Sequence, residues 1–262
     1  MAQFTAVSQE RHAGKRWLRS AGYWFAVTQA TVPVVGAELA RAALSMPLAF
    51  TEQGGRYTLV AVLSLAPGRN MFVAPDGRWL GGYVPAAFRG YPFGLAPKPG
   101  TAEIMLCVDE GSVTDVQAGG EPFFDGEGKL SPALQSIFDF LSQLESSRRA
   151  TDAIVSALAA AGVIQPWPIT VKIEQGGDQA ISGFHRIDEA ALNALPDATF
   201  LKLRKASALP IAYAQLLSTR QIGIFPHLAK LQAQLTAPPV AALPETLDSL
   251  LETLGDDIVR FK

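Results

Sequence analysis

A single cysteine, Cys107, leaves no partner for an intrachain disulfide and suits a reducing compartment. Long apolar runs are also missing. The most apolar stretch, Tyr57 to Leu65, is about half of the roughly 20 residues that cross a bilayer as a helix. The basic residues near the N-terminus (Arg11, Lys15, Arg16, Arg19) precede no apolar segment of signal-peptide type. These absences predict a soluble, cytoplasmic chain with no membrane span. Neither sign of charge dominates: 22 basic residues face 24 acidic ones, for a net charge of −2, so nothing predicts a general attraction to nucleic acid. The three histidines, His12, His185 and His227, are far apart and show neither HxH nor HExxH spacing. Asp125-Gly126-Glu127-Gly128-Lys129 lacks both the glutamate at the twelfth position of a calcium loop and the GKS/T ending of a phosphate loop. There is no GxSxG motif. No metal and no cofactor is expected.

What remains is apolar enough to fold. With 48% hydrophobic and 18% charged residues, the 262-residue chain can bury a sizeable core. Residues 1–20 are polar and basic and read as an arm. Tyr23 to Val27 reads as a strand, Glu38 to Ser45 as a helix stopped by Pro47, and Arg56 to Leu65 as an apolar strand after a Gly54-Gly55 turn. Asn70–Val73 and Arg78–Val84 flank Pro75-Asp76-Gly77, a hairpin signal. Glu103 to Val108 reads as a buried strand. Ser131-Pro132 opens an amphipathic helix through Leu134, Ile137, Phe138, Leu141 and Leu144, and Thr151 to Ala161 reads as a second one, ended by Gly162. Ile169–Ile173 and Gln179–Phe184 suggest a hairpin, and helical segments follow at Glu189–Leu195, Phe200–Lys205 and Leu209–Leu217. Ala237–Pro244 reads as a proline-rich linker and Glu245–Phe261 as a final amphipathic helix. The fold class is α+β: a mixed, mainly antiparallel sheet from the N-terminal half, packed by helices from the C-terminal half. The expected division is an arm at 1–20, an α+β domain at 21–220 and a helical extension at 221–262.

One stretch stands apart. Tyr83-Val84-Pro85-Ala86-Ala87-Phe88-Arg89-Gly90-Tyr91-Pro92-Phe93 holds four aromatics, two prolines and an arginine. Two readings stay open. The rings line a surface on which Arg89 clamps a carboxylate or phosphate, or they pack the core beneath a rigid loop and Arg89 sits in a structural ion pair. Asp109-Glu110, at the end of the buried strand, reads chiefly as a solvated turn, because adjacent residues of an extended chain point to opposite sides.

The order of several motifs resembles the SapC family. They are Tyr23-Trp24-Phe25-Ala26, Val32-Pro33-Val34 with Glu38, Met46-Pro47-Leu48-Ala49-Phe50, Asn70-Met71-Phe72-Val73, Gly77-Arg78-Trp79, the Tyr83–Phe93 stretch, Leu106 to Glu110, Gly183-Phe184 with Ile187-Asp188, and Tyr213 to Ser218. The resemblance runs from about Tyr23 to Ser218. This chain has Gly90 where the family pattern carries a second arginine, and Gln29 where it carries an asparagine. The resemblance implies association with bacterial surface layers by name, and companions such as cupin-type oxygenases and flavin-dependent halogenases; it carries over no catalytic residue. Three roles follow as expectations. The first is a binding or accessory protein that takes a peptide, a small acidic molecule or a protein partner through Trp24, Trp79, Tyr83, Arg89, Tyr91 and Asp109, without catalysis. The second is an enzyme using Asp109, Glu110 or His185. The third is a surface-layer component. The C-terminal helix is a candidate interface.

Overall fold

The computed structural model describes residues 3–236 except 99, 102 and 174–176. The expected linker at Ala237–Pro244 and helix at Glu245–Phe261 lie outside the described residues.

The segment read as an arm is built into sheets instead. Strand β1 (Phe4–Ala6), helix α1 (Gln9–His12) and strand β2 (Lys15–Trp17) lead to a 3-10 turn at Trp24–Ala26 and strand β3 (Thr31–Pro33). The Trp24–Ala26 turn replaces the expected strand. Three residues per turn send successive side chains in three directions, and each aromatic there has its own neighbour. Tyr23 meets the ring of Trp79, Phe25 stacks on Tyr91 at 3.8 Å between centroids, and the Trp24 ring lies against Gly77. A second 3-10 turn, Gly36–Glu38, runs into α2 (Leu39–Ser45). Next come β4 (Leu48–Gln53) and β5 (Arg56–Val62), a hairpin whose turn glycines, Gly54 and Gly55, both have positive φ.

The expected Asn70–Val84 hairpin is reduced to one bridge, Val73 to Trp79, around a tight turn closed by Gly77 N–H on the Ala74 carbonyl. After it follow the one-turn helix α3 (Ala86–Arg89), β6 (Phe93–Pro97), β7 (Ile104–Asp109), β8 (Val113–Asp115) and β9 (Glu121–Pro122). Helix α4 spans Pro132–Ala160, where two helices were expected. Ser131 caps it by accepting from Leu134 N–H, and neither glycine nor proline interrupts it. Residues 145–150, between the two expected helices, are a solvated turn of the same helix, supported by Arg148 with Glu145 and Asp152 and by Arg149 with Glu145. Gly162 ends it at φ +72°.

The rest comprises β10 (Ile164–Pro166), the hairpin β11 (Ile169–Ile173) and β12 (Gly177–Ile181), β13 (Phe184–Ile187), and helices α5 (Glu189–Asn193), α6 (Asp197–Lys205), α7 (Ala208–Ser218) and α8 (Ile224–Thr236). The architecture is α+β with every described strand pair antiparallel. The largest sheet has the order β10-β13-β4-β5-β3, so the second half of the chain supplies two of its five strands. Two smaller sheets, β1-β7-β6 and β8-β2-β9, gather the N-terminal strands. One apolar core fills the space between the five-stranded sheet, α7 and the C-terminal half of α4. A second, containing Trp17, Phe93, Phe123, Leu134 and Leu141, lies under its N-terminal half. Helix α4 thus spans both cores. Among the described residues no helix is long and apolar enough to cross a membrane.

Candidate functional site

Glu38 organises the region around Tyr83 to Phe93. It is only 7% exposed, yet no cation pairs with it among the described residues. Three neutral donors satisfy it instead. Its Oε1 accepts from Val35 N–H at 3.1 Å, and its Oε2 accepts from the Tyr83 hydroxyl at 2.8 Å and Ala86 N–H at 2.7 Å. The carboxylate therefore ties the start of α2 to the entry of α3. Trp79 holds the same segment from beneath: its indole N–H donates to the Tyr83 carbonyl and its ring stacks on Phe72.

Burial, and then the Glu38 carboxylate, push the Tyr83 hydroxyl up to about 12 from its ordinary 10.0. A folded value above the unfolded one means that this contribution to stability is complete below pH 10 and is lost as pH rises through 12. Urea unfolding of Tyr83→Phe should accordingly show a lower midpoint than wild type near neutral pH, and a smaller further fall across that alkaline window.

Arg89 faces neither a buried carboxylate nor solvent alone. Its Nε and Nη2 donate to the Val84 carbonyl at 3.0 and 2.8 Å, and its guanidinium lies 4.7 Å from the centroid of the Tyr83 ring. The structural ion pair expected for it is absent among the described residues. The single turn of α3 lets its last residue reach back to the carbonyl that precedes the helix, and this leaves the charge at the surface.

Three adjoining depressions share Arg89. The first, about 430 Å³, has Glu38, Arg41 and Tyr83 on one side and Phe140, Gln143, Leu144 and Ser147 of α4 on the other. The second, about 370 Å³, continues along α4 over Ala133, Ser136, Ile137 and Phe140 and reaches Arg19. The third, about 340 Å³, opens beside Ile137 and is walled by Trp17, Tyr23, Phe25, Phe88 and Tyr91. The buried Trp17 indole N–H has no hydrogen-bond partner among the described residues. From Ala133 to Ser147 the α4 side of this run is roughly 21 Å long at 1.5 Å per residue. Arg41 also lacks a carboxylate partner among the described residues, whereas Arg19 pairs with Glu121 at 2.6 Å and lies over the Trp17 ring.

Of the residues singled out from sequence, Tyr83, Arg89 and Tyr91 line these depressions. Trp24, 52% exposed, does not line them, and Trp79 stands behind Tyr83. Asp109 is buried rather than a solvated turn residue. It accepts from the Tyr91 hydroxyl at 2.6 Å and from the backbone N–H of Gln3 and Gly111 at 3.3 Å each, so it orients Tyr91 from behind. Burial, then the hydrogen bond to Asp109, raise the Tyr91 hydroxyl above its ordinary range. Glu110 turns the other way, toward Thr5 and Arg11. His185 lies on β13, in a different sheet, beside Tyr57 and 3.7 Å from Glu52. The acid–base set Asp109, Glu110 and His185 is thus spread over two sheets. Among the described residues no group of three His, Cys, Asp or Glu side chains is placed to hold a metal.

Sequence reading missed Arg41, Arg19 and the α4 wall. The available signals were slight: Arg41 lies one helical turn after Glu38, and Ala133, Ser136, Ile137, Phe140, Gln143, Leu144 and Ser147 fall on one helical face. Gly90, where the family pattern carries a second arginine, is packed against α4. A Cβ there would come within 2.5 Å of Leu141 Cδ2.

A profile described as SapC matches residues 7–224 of the chain. No curated protein and no solved structure matches it.

Proposed function

The chain belongs to the SapC family, and we propose that it acts in the cytoplasm as a binding protein for a short acidic peptide segment of a partner protein, without chemistry of its own. The observation that carries this reading is the run of three depressions along α4 that share Arg89, with Arg41 toward one end and Arg19 toward the other. A length of roughly 21 Å accommodates about six extended residues at 3.3–3.4 Å each. Arg41 offers fork-shaped donors to a carboxylate, and Arg89, whose Nε and Nη2 donate to Val84, offers its outer Nη1–Nη2 edge. Rigid rings beside Ile137 offer contact area at low entropic cost. Tyr83 and Tyr91, pinned by Glu38 and Asp109, keep the aromatic wall preorganised.

Fluorescence anisotropy with labelled hexapeptides tests this. Peptides carrying two or three Asp or Glu residues should bind, more weakly as salt rises, while Lys-containing and all-Ala peptides should not. Arg41→Ala and Arg89→Ala should each weaken acidic-peptide binding roughly tenfold or more, the size of one lost charge-assisted hydrogen bond. Equal binding of acidic and basic peptides, or no binding of either, would overturn the proposal.

A further inference from the structure

The helices gathered around α7 carry charge of almost one sign. Helix α7 packs against both α2 and α6, and the 3-10 turn Thr219–Gly223 that follows it is tied to the end of α2 by the Gln221 side-chain amide, which donates to the Leu44 carbonyl at 3.1 Å. On these four elements Arg41, Lys202, Arg204, Lys205 and Arg220 stand against a single carboxylate, Asp197, in a chain whose net charge is −2. All five cations are exposed, and none has a carboxylate partner among the described residues. On α4, which also meets α7, Glu145 and Asp152 are taken by Arg148 and Arg149. The same helices hold the two most exposed large apolar side chains among the described residues, Leu44 at 78% and Leu217 at 73%. Tyr213, one turn before Leu217 on the same helical face, is exposed too, as is Leu201 of α6. Ile211, Ala212, Gln215 and Ser218 fill the buried side of α7, so Tyr213 and Leu217 are left on its outer side.

We propose that this face docks the protein peripherally on an anionic membrane surface, with Leu44, Tyr213 and Leu217 entering the headgroup boundary and the cations around them meeting lipid phosphates. Charge selects the class of partner. Exposed cations without counter-charges beside apolar helical tips are the pattern that an anionic bilayer attracts, and each Lys or Arg near such a surface adds to the affinity. A second copy of the chain would instead bring the same five cations to the contact, where like charges repel. Shape separates lipid from a helix of a partner protein. A docked helix lays its apolar stripe in a groove, but Leu44, Tyr213 and Leu217 stand out from the surface and line none of the depressions along α4. Protruding aliphatic tips suit a fluid layer that closes around them, and a tyrosine, apolar in its ring and polar at its tip, suits the level of the headgroups. Arg41 lines the first depression and also lies one turn before Leu44 on α2, so the membrane face adjoins the arginine-lined run.

Co-sedimentation of the full chain with vesicles tests this without any peptide. The chain should pellet with vesicles of equal parts phosphatidylglycerol and phosphatidylcholine, less as salt rises, and should stay in solution with phosphatidylcholine alone. Leu44→Ser combined with Leu217→Ser should weaken the binding roughly tenfold or more. Lys202→Gln combined with Lys205→Gln should weaken it about fivefold for each charge removed. Val116→Ser, an exposed apolar site on another sheet, should bind as wild type does. Both double variants keep Arg41 and Arg89, so the result stands apart from that of the peptide assay. No pelleting, equal pelleting with phosphatidylcholine alone, or wild-type binding by both double variants would overturn the proposal. So would a dimer in sedimentation velocity without vesicles that the Leu44→Ser, Leu217→Ser chain fails to form, since a second copy would then cover the face.

Discussion

A Glu38→Leu variant is expected to unfold about 3–5 kcal/mol more readily than wild type. Leucine keeps the volume near Tyr83 but strands three donors that have no other acceptor in the described structure: Val35 N–H, the Tyr83 hydroxyl and Ala86 N–H. Each buried donor left unpaired costs about 1–3 kcal/mol. At roughly 2–4 °C per kcal/mol for a chain of this size, thermal denaturation should show a fall in Tm of roughly 10 °C. Arg41→Ala, one turn further along and exposed, should stay within about 0.5 kcal/mol of wild type. A Glu38→Leu variant as stable as wild type would mean that the Glu38 cluster does not hold the Tyr83–Arg89 segment in place.

Gln215→Leu is expected to cost about 3 kcal/mol, because the side chain stands in for a missing rung between two strands. Register pairs Phe184 with Thr51 and His185 with Phe50, and there the ladder between β13 and β4 stops. Beyond it, the wholly buried Gln215 of α7 accepts from Ile187 N–H at 2.8 Å and donates to the Leu48 carbonyl at 3.0 Å. Ser218 completes the repair: its hydroxyl accepts from Leu48 N–H and donates to the Gln215 carbonyl. Leucine would fill the space and leave one buried donor and one buried acceptor unpaired. Urea denaturation should report the loss, with Ser218→Ala showing a smaller one. Equal midpoints for Gln215→Leu and wild type would refute the bridging role.

These two residues also show where the sequence was legible and where it was not. Local rules located the Ser131 cap, the Gly54-Gly55 turn, the Gly162 stop and the apolar strands at Arg56 and Glu103, because each depends on neighbours in the chain. Glu38 meets Tyr83 across 45 residues and Gln215 meets Leu48 across 167; no periodicity encodes such contacts, since Glu38 closes the 3-10 turn before α2 and Gln215 lies within the alanine- and leucine-rich α7. The arm reading failed because three-residue strands at Phe4–Ala6 and Lys15–Trp17 are too short to show alternation and are specified by their partners in β7, β8 and β9. The odd composition of Tyr83 to Phe93 mixes residues in two different environments. Phe88 and Phe93 are buried, while Arg89 stays exposed, with Nε and Nη2 donating to the Val84 carbonyl and its remaining N–H groups free among the described residues.

The arginine-lined run is tested most directly by an NMR titration that follows the arginine side-chain Nε–H signals as an acidic hexapeptide is added. Arg41 and Arg89 should shift together and saturate at one affinity, while Arg148, held by Glu145 and Asp152 on the outer face of α4, should stay in place. Saturable binding that moves other arginines and leaves Arg41 and Arg89 unchanged would contradict the account.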